Sequence, residues 1–507
     1  MRIERIRNAT NNLKWGLFER IVSLLVPFVC RTAIIRIFGI NYLGLNSLFT
    51  SILSALNLTE LGFGSAIVYF MYRAVAEEDN DRICALLHYI KRVYWSIGLI
   101  ILILGLALLP FLRYFIKADV PTEVNIYVLY LLMLAGTVQS YLLFAYEGAI
   151  FRANQRLDVL SKISSVVVIV EKVLQLAFIF IFRNYYLYIA TTIIAGILHN
   201  VLIHLATKKW FPLAHAFGNL AGEEKQDIRR QVRGLFMYKV GNVVNGSADS
   251  VVVSAFLGLT IMGRYGNYYY VISFLMGLLG IYYSSLRAGI GNSIVLESVE
   301  KNFRDFKTLQ FAQNWIVNWS TVCLFCLFQD FISIYAGEQN QLPFGCVVCL
   351  CLYFWIWKIQ DVVYTFKEAA GMWDQDRYRP IIGAAINLVL NVFFVRFIGL
   401  YGVILSTVFV LVVLDLPWAS RVLFKQYFKS NVRVFYRIIL IGAVQLIVML
   451  LPTYWICTKI ITKLHLTQMI IKAMVCLIVP NVLYFAMNFR KYEFDIIMKK
   501  VKSILKR

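Results

Sequence analysis

The sequence has no polar stretch long enough to fold as a soluble domain; its longest polar interruption is residues 208–234. Acidic residues are scarce, 28 Asp and Glu against 50 Lys and Arg, leaving a net charge of +22. In a soluble protein that excess would point to nucleic acid. Without a basic soluble domain to carry it, nucleic-acid binding is excluded. The N-terminus lacks a small-residue cleavage site after a short apolar core. Instead "MRIERIRNATNNLKWGLFER" leads into a full-length apolar segment, which is expected to stay as an anchor. No polar loop holds a cluster of cysteines, so no disulfide framework is expected. Cys323-x-x-Cys326 and Cys346-x-x-Cys349 copy a zinc-ribbon spacing. Their flanks, "TVCLFCLF" and "GCVVCLCLYFWIW", are apolar spans in which thiols pack as small apolar groups, and no metal is expected.

What the chain has instead is apolar length. Hydrophobic residues make up 60% of it, against roughly 45–50% in soluble domains. They fall in blocks able to cross a bilayer, which takes about 20 helical residues. Fourteen spans are expected, near 16–38, 44–72, 92–116, 122–150, 159–182, 186–207, 235–258, 265–295, 309–331, 343–370, 380–397, 400–423, 437–457 and 467–489. The split between 380–397 and 400–423 rests on Gly399 and Gly402. Lys and Arg concentrate at the N-terminus, in the even-numbered loops and in the C-terminal tail, so both termini are expected in the cytoplasm. The tail "KYEFDIIMKKVKSILKR" spaces Phe494, Ile497, Val501 and Ile504 as one helical face. It reads either as an interfacial helix drawn to anionic lipid or as a frayed basic end.

The sequence repeats itself. Gly39 and Gly44 after the first span match Gly258 and Gly263 after the seventh at an offset of 219 residues. "ANQRLDV" after the fourth span echoes "WDQDRYRPI" after the tenth, with Arg156 and Arg377 offset by 221. Both echoes fall at the same place in a six-span unit, which implies duplication. Two units of six spans share one orientation, are related by an axis along the membrane normal, and would carry a substrate path at their interface. The expected organisation is a six-helix lobe over 1–207, a cytoplasmic linker over 208–234, and a second lobe over 235–423. Two further spans over 424–489 and a basic amphipathic tail over 490–507 follow.

Charges inside the spans are the functional signal, since each costs about 2.5–3.5 kcal/mol near the bilayer centre. They are Glu19, Arg20, Arg31, Glu60, Glu171, Lys172, Lys239, Asp249, Arg287, Lys358 and Asp361. Arg20, Ser23, Pro27 and Arg31 share one helical face; so do Lys239, Asn242, Gly246 and Asp249. Asn46, Thr50, Asn57, Glu60 and Gly64 cluster on one side of the second span. Arg20 and Lys239, equivalent under the 219 offset, lie near the cytoplasmic face and either snorkel or face a cavity. Arg36 and Lys472 are expected to snorkel at the outer face. Lys358 and Asp361, three residues apart, either face a cavity or neutralise each other. Arg31 and Asp249 are deeper, with no opposite charge one turn away in sequence, and are expected to line a cavity. Cations outnumber anions there, which suits phosphate or diphosphate. The carboxylates Glu60, Asp249 and Asp361 would balance those cations or take up a driving ion.

Three segments carry a family resemblance. "FMYKVGNVVNGSADSVVVSAFLGLTIMGRYGNYYY" resembles the seventh-span signature of the polysaccharide-transport flippases, the O-antigen and capsule translocases. These belong to the superfamily that also holds multidrug-and-toxin extruders (MATE) and the lipid II flippase. "RTAIIRIFGINYLGLNSLFTSILSALNLTELGFGSAIVY" resembles their first two spans, and "INLVLNVFFVRFIGLYGVILST" their eleventh and twelfth. The resemblance implies an all-α, MATE-like polytopic protein of about 14 transmembrane helices, in two pseudo-symmetric six-helix lobes plus two C-terminal helices. It implies movement of undecaprenyl-diphosphate-linked oligosaccharide from the cytoplasmic to the periplasmic leaflet of the bacterial inner membrane by alternating access. There would be no catalytic residue and no cofactor, with coupling to a proton or sodium ion. Implied partners are the polyprenyl-diphosphate-linked glycan, membrane lipids, and the polysaccharide polymerase and assembly proteins. Arg20, Arg31, Lys239, Asp249 and Arg287 are the cavity residues it implies, with Lys358 added as a further cation inside a span. Two rivals remain. A MATE-type multidrug or cation antiporter would favour an acidic cavity. A membrane polymerase or glycosyltransferase would need a large periplasmic loop, and the longest here, "QDFISIYAGEQNQLP", has 15 residues.

Overall fold

The computed structural model describes residues 2–57, 63–117, 120–372, 374–462 and 464–505. Side chains are described for these residues except 2–10, 13, 24, 63, 65–66, 231, 233–245, 288, 374 and 500–505. The described residues form helices, turns and loops, with no strand among them. Two compact units are present, Met1–Gly263 and Arg264–Arg507.

The first unit holds α1 (Arg2–Ile37), α2 (Ile40–Leu56), α3 (Phe63–Ala76), α4 (Asn80–Leu108), α5 (Ile126–Leu142), α6 (Gly148–Ala153), α7 (Leu157–Ala177), α8 (Tyr185–Trp210) and α9 (Gly222–Leu257). The unit boundary falls inside α10 (Leu259–Leu296). Then follow α11 (Val299–Ala336), α12 (Phe344–Lys358), α13 (Asp361–Ala369), α14 (Arg379–Ile398), α15 (Leu400–Val410) and α16 (Leu416–Val422). The chain ends with α17 (Arg433–Lys459), α18 (His465–Asn488) and α19 (Tyr492–Leu505).

Local chemistry sets several of these ends. The side chains of Asp79, Asn125, Asn184 and Ser298 accept from first-turn amides of α4, α5, α8 and α11, which satisfies donors that a helix start leaves orphaned. Gly399 turns the chain between α14 and α15 at φ 57°. Gly402 lets the backbones close, since a Cβ there would stand 2.5 Å from the carbonyl carbon of Phe394. The split expected at these two glycines is therefore real.

The outer surface is apolar. Ile181, Val389 and Leu440 are 72%, 67% and 66% exposed, a pattern that water would penalise and lipid would not. Among the described residues, ten helices are long and apolar enough to cross a membrane, or eleven with the bent pair α5 and α6. The other expected spans fall on α1, on α2 with α3, and on α9. Shorter apolar stretches are described there: Ile40–Leu56, Ile67–Ala76 and Gly246–Leu257. The α5–α6 pair bends by 51°, with Phe144 at φ 35° in the break. Backbone this irregular is tolerated at membrane depth only inside protein or beside a cavity.

Of the tail, Tyr492–Leu505 forms α19. The described side chains of α19 dock on protein. Phe494 is buried, with its ring 5.0 Å from Phe485 and 6.4 Å from Trp315, and Ile497 and Met498 pack on the same apolar cluster.

Candidate functional site

The stripe predicted on the first span lies on α1, which packs along α7. Arg20 is exposed and Arg31 half-buried. Arg31 interacts electrostatically with Tyr185 at the start of α8. The neighbouring thiol of Cys30 donates to the Lys172 carbonyl at 3.8 Å. The turn of α1 that carries Arg31 is thereby set beside the turn of α7 that carries Glu171 and Lys172. Asp249 is half-buried on α9, which packs along α2. Both Arg31 and Asp249 make interactions in the structure. Glu60 lies outside the described residues, as does the side chain of Lys239.

Between α2, α5, α7 and α8 lies a cavity of about 390 Å³. One wall is the face of α2 that the sequence marked as polar, with Asn46, Thr50, Ser54 and Asn57. Thr137 and Ser140 of α5 and Tyr188 and Thr192 of α8 also line it. The floor is a tight polar cluster on α7. Lys172 Nζ donates to Glu171 Oε1 at 2.8 Å and to Gln175 Oε1 at 2.9 Å. Gln175 Nε2 donates back to Glu171 Oε1 at 3.0 Å and to Thr192 Oγ1 at 3.3 Å. Both charged side chains of the pair are largely buried. A second cavity of about 520 Å³ opens along the α5–α6 break, with Glu19, Arg152 and His199 on its walls. His199 Nε2 stands 3.1 Å from Ser164 Oγ.

The second unit holds the remaining predicted charges, and there they are paired. Lys358 is ion-paired with Asp361 across the junction of α12 and α13. The pairing that their spacing allowed is present. Arg287 Nη2 meets Glu368 Oε2 at 2.6 Å. Beneath that contact is a buried network in which Lys367 and Arg379 share Asp376, and Arg379 also reaches Asp415 at 2.5 Å. Lys472, expected to snorkel, instead bonds Asp330 at 2.7 Å with both side chains largely buried. Arg36 is exposed.

Sequence reasoning missed Glu368, which it left out of the charges inside the spans although position 368 falls within the expected span 343–370. A signal was there: Glu368 sits 221 residues after Glu147, the offset that relates Arg156 to Arg377. Glu147 is likewise an engaged carboxylate, buried and 2.9 Å from His204 Nδ1. The thiols of Cys326, Cys457 and Cys476 lie within 4.8 Å of one another in the apolar cluster that receives α19.

No family model matches the chain and no curated protein matches it. Solved structures do. The lipid II flippase MurJ in an inward closed conformation superposes with a TM-score of 0.63 at 17% identity, covering 94% of this chain and 98% of that one. The fold is that of the MATE and lipid II flippase proteins. An inward-facing multidrug resistance MATE transporter gives 0.61 at 13% identity, covering 80% of this chain and 98% of its own. A Vibrio cholerae MATE transporter gives 0.56 at 13% identity, with 83% and 98% covered. The chain is thus an all-α, multi-pass membrane protein of MATE-like fold.

Proposed function

We propose that the chain is a transporter of the inner membrane, with both termini cytoplasmic. It flips polyprenyl-diphosphate-linked oligosaccharide from the cytoplasmic to the periplasmic leaflet by alternating access. The observation that carries this reading is the arginine stripe of α1, with exposed Arg20 and half-buried Arg31 on one helical face. A guanidinium fork suits a diphosphate and repels the cationic cargo of a drug antiporter. The fold shared with a lipid II flippase over most of the chain supports the same reading. Asp249 is proposed as the carboxylate that balances the arginines or takes up the driving proton or sodium ion. Arg287, paired with Glu368, would become available to a phosphate only by exchanging that partner. The test is a transbilayer assay in proteoliposomes with undecaprenyl-diphosphate glycans of several sugar compositions. Facilitated movement of at least one glycan is expected. Movement of organic cations with no movement of any glycan would overturn the reading.

A further inference from the structure

The cavity between α2, α5, α7 and α8 has a lining unlike that expected for a diphosphate. Its two charges cancel, because Glu171 and Lys172 are joined at 2.8 Å. An inorganic cation would have to compete with an ammonium already on Glu171, the one carboxylate of the lining among the described residues. An anion would have to compete with that carboxylate for Lys172. An apolar guest would strand the surrounding amides and hydroxyls, at about 1–3 kcal/mol for each buried group left unbonded. What the lining offers is a set of neutral donors and acceptors, chiefly Asn46, Thr50, Ser54 and Asn57 along one face of α2, together with apolar side chains such as Leu132, Met133 and Ile189 that suit the C–H faces of a ring. Asn57 Oδ1 is buried and has no hydrogen-bond partner among the described residues. The volume of about 390 Å³ is within the range of small-ligand sites.

We infer that this cavity is a subsite for one neutral hexopyranose ring, held through its hydroxyls by the α2 face and the Glu171–Gln175 cluster. As part of a transported glycan this rests on the flippase reading; as a sugar site it stands on its own lining. In that role the α1 arginines would hold the diphosphate and this cavity a sugar ring, so glycan choice would be made inside the first unit.

The experiment uses the full-length protein in nanodiscs, with methyl glycosides of glucose, galactose, N-acetylglucosamine and N-acetylgalactosamine as probes. Saturation-transfer NMR reads binding to the wild type, to Thr50→Val and to Asn57→Leu, each checked by thermal melting. At least one glycoside is expected to bind the wild type, and to lose about fivefold in affinity in either variant, the effect of one hydrogen bond. No binding by any of the four, or unchanged binding in both variants, overturns the subsite. The proteoliposome assay separates the two ideas. Lipid-linked glycan that crosses without glycoside binding leaves the flippase reading standing and removes the subsite. Glycoside binding with no glycan crossing does the reverse.

Discussion

Gly44 and Gly263, partners in the sequence repeat, touch each other in the structure. A Cβ on Gly44 would run into the Leu259 carbonyl, and one on Gly263 would stand 2.5 Å from the Ile40 carbonyl oxygen. Asn41 and Thr260, also 219 residues apart, close the same corner with a hydrogen bond of 2.8 Å between Thr260 Oγ1 and Asn41 Oδ1. The glycines that turn into the corner share one backbone conformation: Gly39 at φ 97°, ψ 169° and Gly258 at φ 91°, ψ 171°. Equivalent positions thus meet as a two-fold repeat would bring them, and only hydrogen side chains permit it.

Gly44→Ala is therefore expected to destabilise the purified protein by about 1–3 kcal/mol through overpacking against backbone. Gly246→Ala, with open space around its Cα, is expected to be neutral or slightly stabilising. Melting temperatures of the two variants check this. Equal stability would mean that the corner is not closed in the membrane.

Arg31→Ala should lower transport of lipid-linked glycan roughly tenfold or more, the loss of a charged hydrogen bond. Arg31→Lys should recover only part of it, because an ammonium lacks the fork. Asp249→Ala should lower transport as well. Protein amounts in the membrane should stay at the wild-type level in all three, as read by immunoblot beside the proteoliposome rate.

The charges of the second unit should separate by burial. Asp415→Ala leaves Arg379 short of a partner inside a buried network and is expected to cost about 3–5 kcal/mol of stability. Arg287→Ala breaks a pair whose arginine is half exposed and should cost no more than about 1 kcal/mol. Thermal denaturation in detergent distinguishes the two, and a similar loss in both would contradict the burial argument.

Those predictions show where sequence reading succeeded and where it stopped. Lys358 and Asp361 could be paired from spacing alone, because residues three apart share a helical face. The polar face of α2 was legible for the same reason, and Asn46, Thr50 and Asn57 do line a cavity. Its opposite wall was not. Gln175 and Thr192 come from two other helices, and no local periodicity encodes which helix faces which. Lys472 was read as snorkelling because its partner Asp330 is 142 residues away. Arg287 was read as a cavity residue, and its pairing with Glu368 was not foreseen. The span count held best on segments that are uniformly apolar. The corner glycines were legible as a repeat but not as a contact.

The tail gives a further check. Phe494 is buried against Phe485 and Trp315, so Phe494→Ala should cost about 3–5 kcal/mol. A basic tail that merely lay on lipid would show almost no change in melting temperature. The same variant should raise proteolysis of α19 in inside-out vesicles, where a cytoplasmic tail faces the added protease.

The glycine corner also has a consequence for biosynthesis. The bond between Asn41 and Thr260 cannot form until the first turn of α10 has left the ribosome, 219 residues after Asn41. At about 5–20 residues per second that is a wait of roughly 10–40 s. During it, the face of α2 that carries Gly44 must enter the bilayer without the neighbour it was shaped to receive. Insertion factors or lipid would have to shield that face, and the first unit closes this corner only when its last residues, the first turn of α10, have been made.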